Sequence, residues 1–310
     1  MNRRYFNLYT NFLENQANLR RSLRVVLDCS NGPAGLVLRK LKIPKAKFVV
    51  LNSKIDDRFP AHGPNPLAAR ATNQAAKEVR RRKADLAVVF DADADRAIFV
   101  DNRGRRLPSY AITLLLSLVQ KPPFVADIYV FGSLRYSNLL RKGVYPSKVG
   151  TLNIKNEMYR RQASFGAEYS GHFYFRDFFY TDSGILATIK VMNALSQLPH
   201  SLADFYDSLP EFHSEQFNVR VKNIRKLMDK IEKTYRRHAL KTDHLDGYSF
   251  NFRDFLVIVR LSNTESLIRF FVGAKRKSVF RREMSNLKLV IQKIQKNPKN
   301  WKNSKNRIMR

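Results

Sequence analysis

The sequence predicts two mixed-sheet α/β/α units followed by a smaller α+β unit. In the first two thirds of the chain, short apolar runs such as Leu23–Asp28 alternate with helix-like segments, which is typical of mainly parallel sheets covered by helices. Polar turns follow several of these runs, at the strand ends where such sheets bind ligands. The last third places several strand-like runs between two helical segments, which indicates an antiparallel sheet.

We expect three domains and a tail, because 310 residues exceed the usual size of a single core. The expected bounds are residues 1–107, 108–208 and 209–295, followed by a basic tail at 296–310 that is rich in Lys and Asn.

The elements are assigned from apolar period, Ala-rich composition and turn residues. In the first unit we expect strands at 23–28, 46–53 and 84–90 and helices at 35–41 and 67–84. In the second unit we expect helices at 109–120, 134–143, 153–162 and 182–198 and strands at 126–132, 164–170 and 172–177. In the third unit we expect strands at 215–221, 247–252, 255–261 and 267–275 and helices at 224–238 and from 277.

The chain is strongly basic, with 57 Lys and Arg against 26 Asp and Glu and a formal net charge of +31. This charge favours anionic partners, whether nucleic acid, an acidic membrane surface or phosphorylated metabolites, and a generally basic surface is the alternative interpretation. There is no zinc-finger spacing and no aromatic RNA-binding signature. No run reaches the roughly 18 apolar residues of a membrane span. A single cysteine, Cys29, and the lack of a secretory signal predict a cytoplasmic protein.

Three acids lie at alternate positions directly after the third strand, in the stretch FDADADR. Asp91, Asp93 and Asp95 repel one another unless a cation lies between them, and carboxylates suit a hard ion such as Mg²⁺. Arg96 is placed to hold a carboxylate or to bind a phosphate. A solvated turn is the alternative, whereas the spacing excludes an EF-hand loop.

Two later stretches carry further polar side chains. In GAEYSGHFYFRD, Glu168, Ser170 and His172 alternate and suit a polyhydroxylated ligand, with an amphipathic strand as the alternative. In RLSNTESLIR, a polar loop between two apolar strands suits a phosphate, with a plain hairpin turn as the alternative. The loop residues are Arg260, Ser262, Asn263 and Thr264.

These three stretches, in this order, resemble the phosphohexomutase family, most closely its bacterial phosphomannomutase/phosphoglucomutase branch. DADADR is similar to the family's metal loop, AEYSGHFYFRD with the later YTDSG to its sugar-recognition loop, and RLSNTE to its phosphate-binding loop. Weaker similarities, in VVLDCSNGPAG, RFPAHGPNP and SKVGTLNIK, extend the match from about residue 5 to residue 290.

The resemblance implies an enzyme that moves phosphate between O1 and O6 of a mannose or glucose phosphate through a hexose bisphosphate, using a phosphoserine and Mg²⁺. It implies that Asp91, Asp93 and Asp95 bind the metal and that Arg96 contacts the transferred phosphate. It also assigns the sugar to Glu168, Ser170 and His172, and the distal phosphate to Arg260, Ser262, Asn263 and Thr264.

Several features depart from the family pattern. No serine loop of the TASHNP type is found, Thr151 replaces a histidine, Phe131 replaces a basic residue and Ala92 replaces a glycine. We therefore expect a truncated or incomplete mutase, with a separate chain supplying the serine domain or with self-association over an uncovered apolar face near the start. The alternatives are a non-catalytic binder of sugar phosphates or polyanions and a nucleic-acid-binding protein. The sequence does not distinguish mannose from glucose.

Overall fold

The computed structural model describes residues 3–220, 224–262 and 267–294. The elements in these ranges form three sheets of four, five and five strands. Within the same ranges no helix is both long and apolar enough to cross a membrane. The predicted class, two mixed α/β sheets followed by a smaller α+β unit, is confirmed.

The first sheet has the strand order β2-β1-β3-β4. Strand β1 pairs in parallel with β2 and β3, whereas β4 pairs antiparallel with β3. Strands β1, β3 and β4 are almost fully buried, as their mainly apolar sequences predict. The elements of this part are α1 (Arg3–Asn15), β1 (Leu23–Asp28), α2 (Ala34–Leu38), β2 (Ala46–Leu51), α3 (Asn73–Arg81), β3 (Leu86–Phe90) and β4 (Ala97–Asp101).

The second sheet has the order β6-β5-β7-β8-β9, with parallel pairing of β5 to β6 and β7 and antiparallel pairing beyond β7. Its elements are α4 (Ser109–Leu116), β5 (Phe124–Asp127), α5 (Ile128–Tyr136), β6 (Val144–Ser147), α6 (Thr151–Arg161), β7 (Phe165–Ala167), β8 (Phe173–Phe175), β9 (Thr181–Asp182), α7 (Gly184–Gln197) and α8 (Leu202–Asp207). A short 3₁₀ turn at Arg176–Phe178 follows β8.

The predicted strand at 126–132 is wrong, because the chain turns into a helix after Asp127. The Asp127 carboxylate accepts hydrogen bonds from the backbone N–H groups of Tyr129 and Val130, so it caps α5 and ends β5. The apolar run at residues 128–131 predicts a strand from its local pattern, but it belongs to a helix that is buried on most sides.

The third sheet is wholly antiparallel, with the order β10-β14-β13-β12-β11. Its elements are β10 (His213–Arg220), α9 (Ile224–Arg236), β11 (Lys241–Asp243), β12 (Tyr248–Asn251), β13 (Phe255–Leu261), β14 (Leu267–Ala274) and α10 (Lys277–Ile294). The two helices cover one face of this sheet, and α5 of the second sheet packs on the other.

The largest buried apolar cluster crosses from the first sheet to the second. It joins β1, β3 and β4 with β7 and β8, and α7 contributes much of the surface between them. On helix α1, Tyr5 and Leu8 are exposed by 67% and 57%, so apolar surface is open near the start of the chain. That a partner or a second copy covers it stays a prediction.

Candidate active site

The acidic loop connects β3 to β4 at one edge of the first sheet. Asp91, Asp93 and Asp95 each offer a carboxylate oxygen, and these three oxygens lie within 4.8 Å of one another. Asp91 is buried, Asp93 is exposed and Asp95 is partly buried. The left-handed backbone of the loop is at Ala94, with φ of 63°, and not at Ala92, which replaces the family's glycine. The structure thus gathers the predicted metal ligands around one point.

Arg96 binds an acid of the same loop. Its Nε donates to Asp91 Oδ2 at 2.5 Å, and its backbone N–H donates to Asp91 Oδ1 at 3.1 Å. Burial and the neighbouring Asp95 carboxylate raise the pKa of Asp91 to about 6, although the Arg96 charge acts against them. The predicted contact of Arg96 with a phosphate stays a prediction, because its Nε is engaged by Asp91.

His172 connects the acidic loop to the second sheet. His172 Nε2 lies 3.4 Å from Asp95 Oδ1, and His172 Nδ1 lies 3.2 Å from Glu168 Oε2. Burial alone would lower the pKa of His172, but contacts with the two carboxylates outweigh it and raise the pKa to about 9. The contact with His172 also lowers the pKa of Asp95 to about 2. At neutral pH the imidazole is therefore charged and lies between two carboxylates.

The predicted sugar-binding residues lie between β7 and β8. Ser170 Oγ is 2.8 Å from His172 Nδ1, so these two side chains share one hydrogen bond. Glu168 is almost fully buried, and its two oxygens accept hydrogen bonds from the Gly150 N–H and the Tyr174 hydroxyl at 2.6 and 2.7 Å. Burial opposes ionisation of Glu168, yet the contacts with His172, Gly150 and Tyr174 lower its pKa. Ser170 and His172 are the more accessible of the three.

Backbone hydrogen bonds join the acidic loop to the second sheet and helix α7. The Gly184 N–H donates to Ala94 O at 2.9 Å, and the Ala97 N–H donates to Gly171 O at 3.0 Å. A Cβ added to Gly184 would lie 2.6 Å from Arg96 O and 2.9 Å from Ala94 O. Only glycine permits so close an approach of helix α7 to the loop.

Residues that follow strand β1 also support the acidic loop. Ser30 Oγ donates to Phe90 O at 2.5 Å, directly before the first acid. His62, from the segment AHGPNP, lies 3.4 Å from both Ser30 Oγ and Asp28 Oδ1. No role for these residues is predicted from the sequence, although Asp28 and Ser30 lie at the carboxyl end of β1, the edge where such sheets bind ligands.

Sequence reasoning also missed two acids. Asp182 offers an oxygen that lies within 4.8 Å of ligand atoms of Asp95 and His172. Asp127 is buried beside the sugar loop, where it accepts the Tyr169 N–H at 2.9 Å, and burial and the Glu168 charge raise its pKa to about 7. Asp182 lies next to the helix-capping Ser183 and Asp127 ends a strand, and those positions were the available signals.

The predicted phosphate loop is only partly described. Arg260 is buried, and its Nε lies 3.1 Å from Asp246 Oδ2. Asp246 also accepts the Val149 N–H at 3.0 Å, and the next residue, Gly150, binds Glu168. Arg260 is therefore linked to the sugar loop through Asp246, and no direct hydrogen bond joins them among the described residues. Ser262 donates its backbone N–H to Leu267 O, while Asn263 and Thr264 lie outside the described residues.

Comparison with known families gives two matches. The family description "Phosphoglucomutase/phosphomannomutase, alpha/beta/alpha domain II" matches residues 3–104, and "domain III" of the same family matches residues 135–212. Together the two ranges cover more than half of the 310 residues. They contain the acidic loop and the predicted sugar loop.

Curated relatives agree with this assignment. The chain is 31% identical over 277 residues to a phosphomannomutase of Escherichia coli, covering 84% of this chain and 60% of that protein. It is 27% identical over 282 residues to a phosphomannomutase of Methanocaldococcus jannaschii, covering 87% of this chain and 62% of that protein. The chain thus spans about three fifths of the length of the curated relatives it matches.

Solved structures share the fold. A phosphoglucomutase/phosphomannomutase family protein of Burkholderia thailandensis superposes with a TM-score of 0.81 at 23% identity, over 93% of this chain and 64% of that one. An N-acetylphosphoglucosamine mutase of Aspergillus fumigatus, solved with GlcNAc-6P and magnesium, gives a TM-score of 0.64 at 15% identity, over 93% and 69% of the two chains. From the family matches, the relatives and this shared fold, the chain belongs to the phosphoglucomutase/phosphomannomutase family.

Proposed function

We propose that this chain carries the metal-binding, sugar-binding and distal phosphate-binding parts of a phosphohexomutase that acts on mannose or glucose phosphates. The observation that carries the proposal is the convergence of Asp91, Asp93 and Asp95 on one point, with His172 of the sugar loop in contact with Asp95. The names of the curated relatives support it. The A. fumigatus enzyme was solved with GlcNAc-6P, which supports a phosphosugar ligand.

The acidic loop fits a hard divalent cation. Its donors are all carboxylate oxygens, and the buried Oδ1 of Asp95 forms no hydrogen bond and only an ion-pair contact of 3.4 Å with His172 Nε2. Asp91, Asp93 and Asp95 would hold Mg²⁺, which supplies positive charge against a phosphoryl group when it is bound. Arg96 fixes Asp91 in the orientation that the site needs, and His172 does the same for Asp95.

The remaining side chains would position a sugar phosphate. Ser170 would hydrogen-bond a sugar hydroxyl through its Oγ, and His172, whose ring nitrogens contact Asp95 and Glu168, would position Ser170 beside the sugar. Arg260 would bind the distal phosphate with its guanidinium, and Ser262, Asn263 and Thr264 complete the predicted loop. We also retain the proposed division into domains at residues 1–107, 108–208 and 209–295.

The phosphate donor would come from outside residues 1–310, because these residues contain no serine loop of the family type. Thr151, at the histidine position, begins helix α6 and lies 3.2 Å from the Tyr174 hydroxyl. A threonine hydroxyl does not titrate near neutral pH, so it does not replace an imidazole in proton transfer. We therefore expect the chain alone to bind substrate and metal without turnover.

The test follows mannose 1-phosphate by phosphorus NMR, with Mg²⁺ and a hexose 1,6-bisphosphate primer. We expect turnover only after a phosphoserine domain is added as a separate chain, and we expect Asp93→Asn to abolish that turnover. Turnover by the chain alone would contradict the assignment of the donor. Failure to bind glucose 1,6-bisphosphate or Mg²⁺ at all would refute the proposed function.

A non-catalytic binder of sugar phosphates is the second candidate. Two observations favour a binder without catalysis. Both carboxylate oxygens of Glu168 already accept hydrogen bonds within the protein, and a threonine stands at position 151. It predicts that glucose 1,6-bisphosphate binds tightly and that no added serine domain restores turnover. Nucleic-acid binding as the main role predicts instead a steep salt dependence that sugar phosphates leave unchanged.

A further inference from the structure

A large cavity lies between the second and third sheets, lined by residues outside the candidate active site. Its volume is about 920 Å³, within the range of sites for small organic ligands. One wall comes from α4, α8 and the segment that leads into β10, and the other comes from the start of α10. None of the metal, sugar or phosphate residues discussed above lines it.

Aromatic rings form much of the cavity wall. Tyr110 and Phe212 are buried and meet edge to face, with ring centroids 5.8 Å apart. Tyr206 and Phe280 line the same cavity and are partly exposed, and the Phe280 ring centroid lies 6.1 Å from that of His213. Accessible aromatic faces favour stacking with a planar ring, because such contacts bury much apolar area at little entropic cost.

Two cations at the rim lack a protein partner. Lys277 and Arg281 are one helical turn apart on the exposed side of α10, and neither forms an ion pair or side-chain hydrogen bond among the described residues. Lys277 is the first residue of this 18-residue helix, so the partial positive charge of the helix N-terminus adds to the charge of its side chain. Together these groups favour an anion, and phosphate in particular.

The acids in the wall are already engaged. Asp207 binds Arg103 and Arg105, Glu211 lies 2.6 Å from His213, and Glu215 has a partner of its own. The charge of Asp207 is thus balanced by two arginines and the other two acids are engaged within the protein, whereas Lys277 and Arg281 are not engaged. The cavity therefore favours a ligand that has a planar ring and also carries negative charge.

We propose that this cavity binds a nucleotide, with its base against the partly exposed rings of Tyr206 and Phe280 and its phosphates on Lys277 and Arg281. Since the walls belong to different sheets, a bound nucleotide joins the second sheet to the third. The site is separate from the acidic loop, and the proposal does not depend on mutase activity.

The test titrates ADP into the full chain by calorimetry, with saturating glucose 1,6-bisphosphate present so that the candidate active site is blocked. We expect ADP to bind, and we expect the double charge reversal K277E/R281E to weaken binding by at least about tenfold. Lys293→Glu, at the far end of the same helix, is the matched control and leaves the affinity unchanged.

The aromatic contribution is tested separately. We expect Phe280→Ala to weaken ADP binding by about tenfold and ribose 5-phosphate, which has no base, to bind at least about tenfold more weakly than ADP. Urea unfolding confirms that each variant is folded. The proposal is refuted if ADP does not bind, if the bisphosphate competes with it, if K277E/R281E binds ADP normally, or if ribose 5-phosphate binds equally well.

Discussion

We expect Gly184→Ala to displace the acidic loop, because Gly184 lies against the backbone of that loop. The added Cβ would lie 2.6 Å from Arg96 O, and ordinary contact begins near 3.4 Å, so the loop or the helix must move by about 0.8 Å. Metal-ligand distances tolerate only about 0.2 Å. We therefore expect Mn²⁺, as a stand-in for Mg²⁺, to bind about 10- to 100-fold more weakly, as when supporting residues of a metal site are changed.

The assay is calorimetric titration of Mn²⁺ into both proteins, with urea unfolding in the absence of metal. Overpacking should cost about 1–3 kcal/mol, offset by up to about 1 kcal/mol from the better helix propensity of alanine. Gly132→Ala is the control, because its Cβ would meet only the flexible end of Leu256 at 2.7 Å. A folded Gly184→Ala variant that binds Mn²⁺ as the parent does would refute the argument from strain.

Three further substitutions test the acidic loop, the residues beside the sugar loop and helix α7. Asp93→Asn should weaken Mn²⁺ binding more than about tenfold and shift the urea unfolding free energy by less than about 0.5 kcal/mol, because Asp93 is exposed; a large loss of stability would contradict this. The pKa of Asp127, raised to about 7, means that the folded state holds the proton more tightly than the unfolded state. Its contribution to the unfolding free energy is thus fully present below the ordinary pKa near 3.8 and is lost as pH rises from there to about 7, by up to about 1.4 kcal/mol per pH unit, and Asp127→Asn should remove that slope in urea titrations. Lys190→Met should cost about 1–3 kcal/mol in urea unfolding, since the buried amine donates to Asp177 Oδ2 at 2.8 Å and Gln16 Oε1 at 2.6 Å, and a cost below about 0.5 kcal/mol would show that these contacts contribute little.

The sequence predicted those parts of the fold that depend on local pattern. Strand β13 at Phe255–Leu261 and the start of α10 at Lys277 agree with the alternating and helical periods of those segments. Helix α1 was not predicted, although apolar residues such as Leu13 recur along it. Helix α1 is stabilised mainly by tertiary packing, because Leu13 is fully buried in the apolar cluster between the first and second sheets.

In the candidate site, too, only the contacts between residues close in the chain follow from the sequence. The three acids follow a strand and lie two residues apart, so the sequence alone predicts their convergence. The charged imidazole of His172 between Asp95 and Glu168 depends on two loops that are distant in the chain, and no local pattern encodes that distance. The same is true of Asp246, which links Arg260 to Val149 across the second and third sheets.

The backbone hydrogen bonds from the acidic loop to Gly171 and Gly184 also bear on the order in which the protein matures during synthesis. The acids leave the ribosome long before the residues that hold their loop, because both glycines come much later in the chain. A nascent chain that ends before helix α7 has the carboxylates but lacks the backbone that fixes their spacing. The acidic loop therefore reaches its folded arrangement only after the second sheet has been translated, and a chain stalled earlier carries three clustered acids without that backbone support.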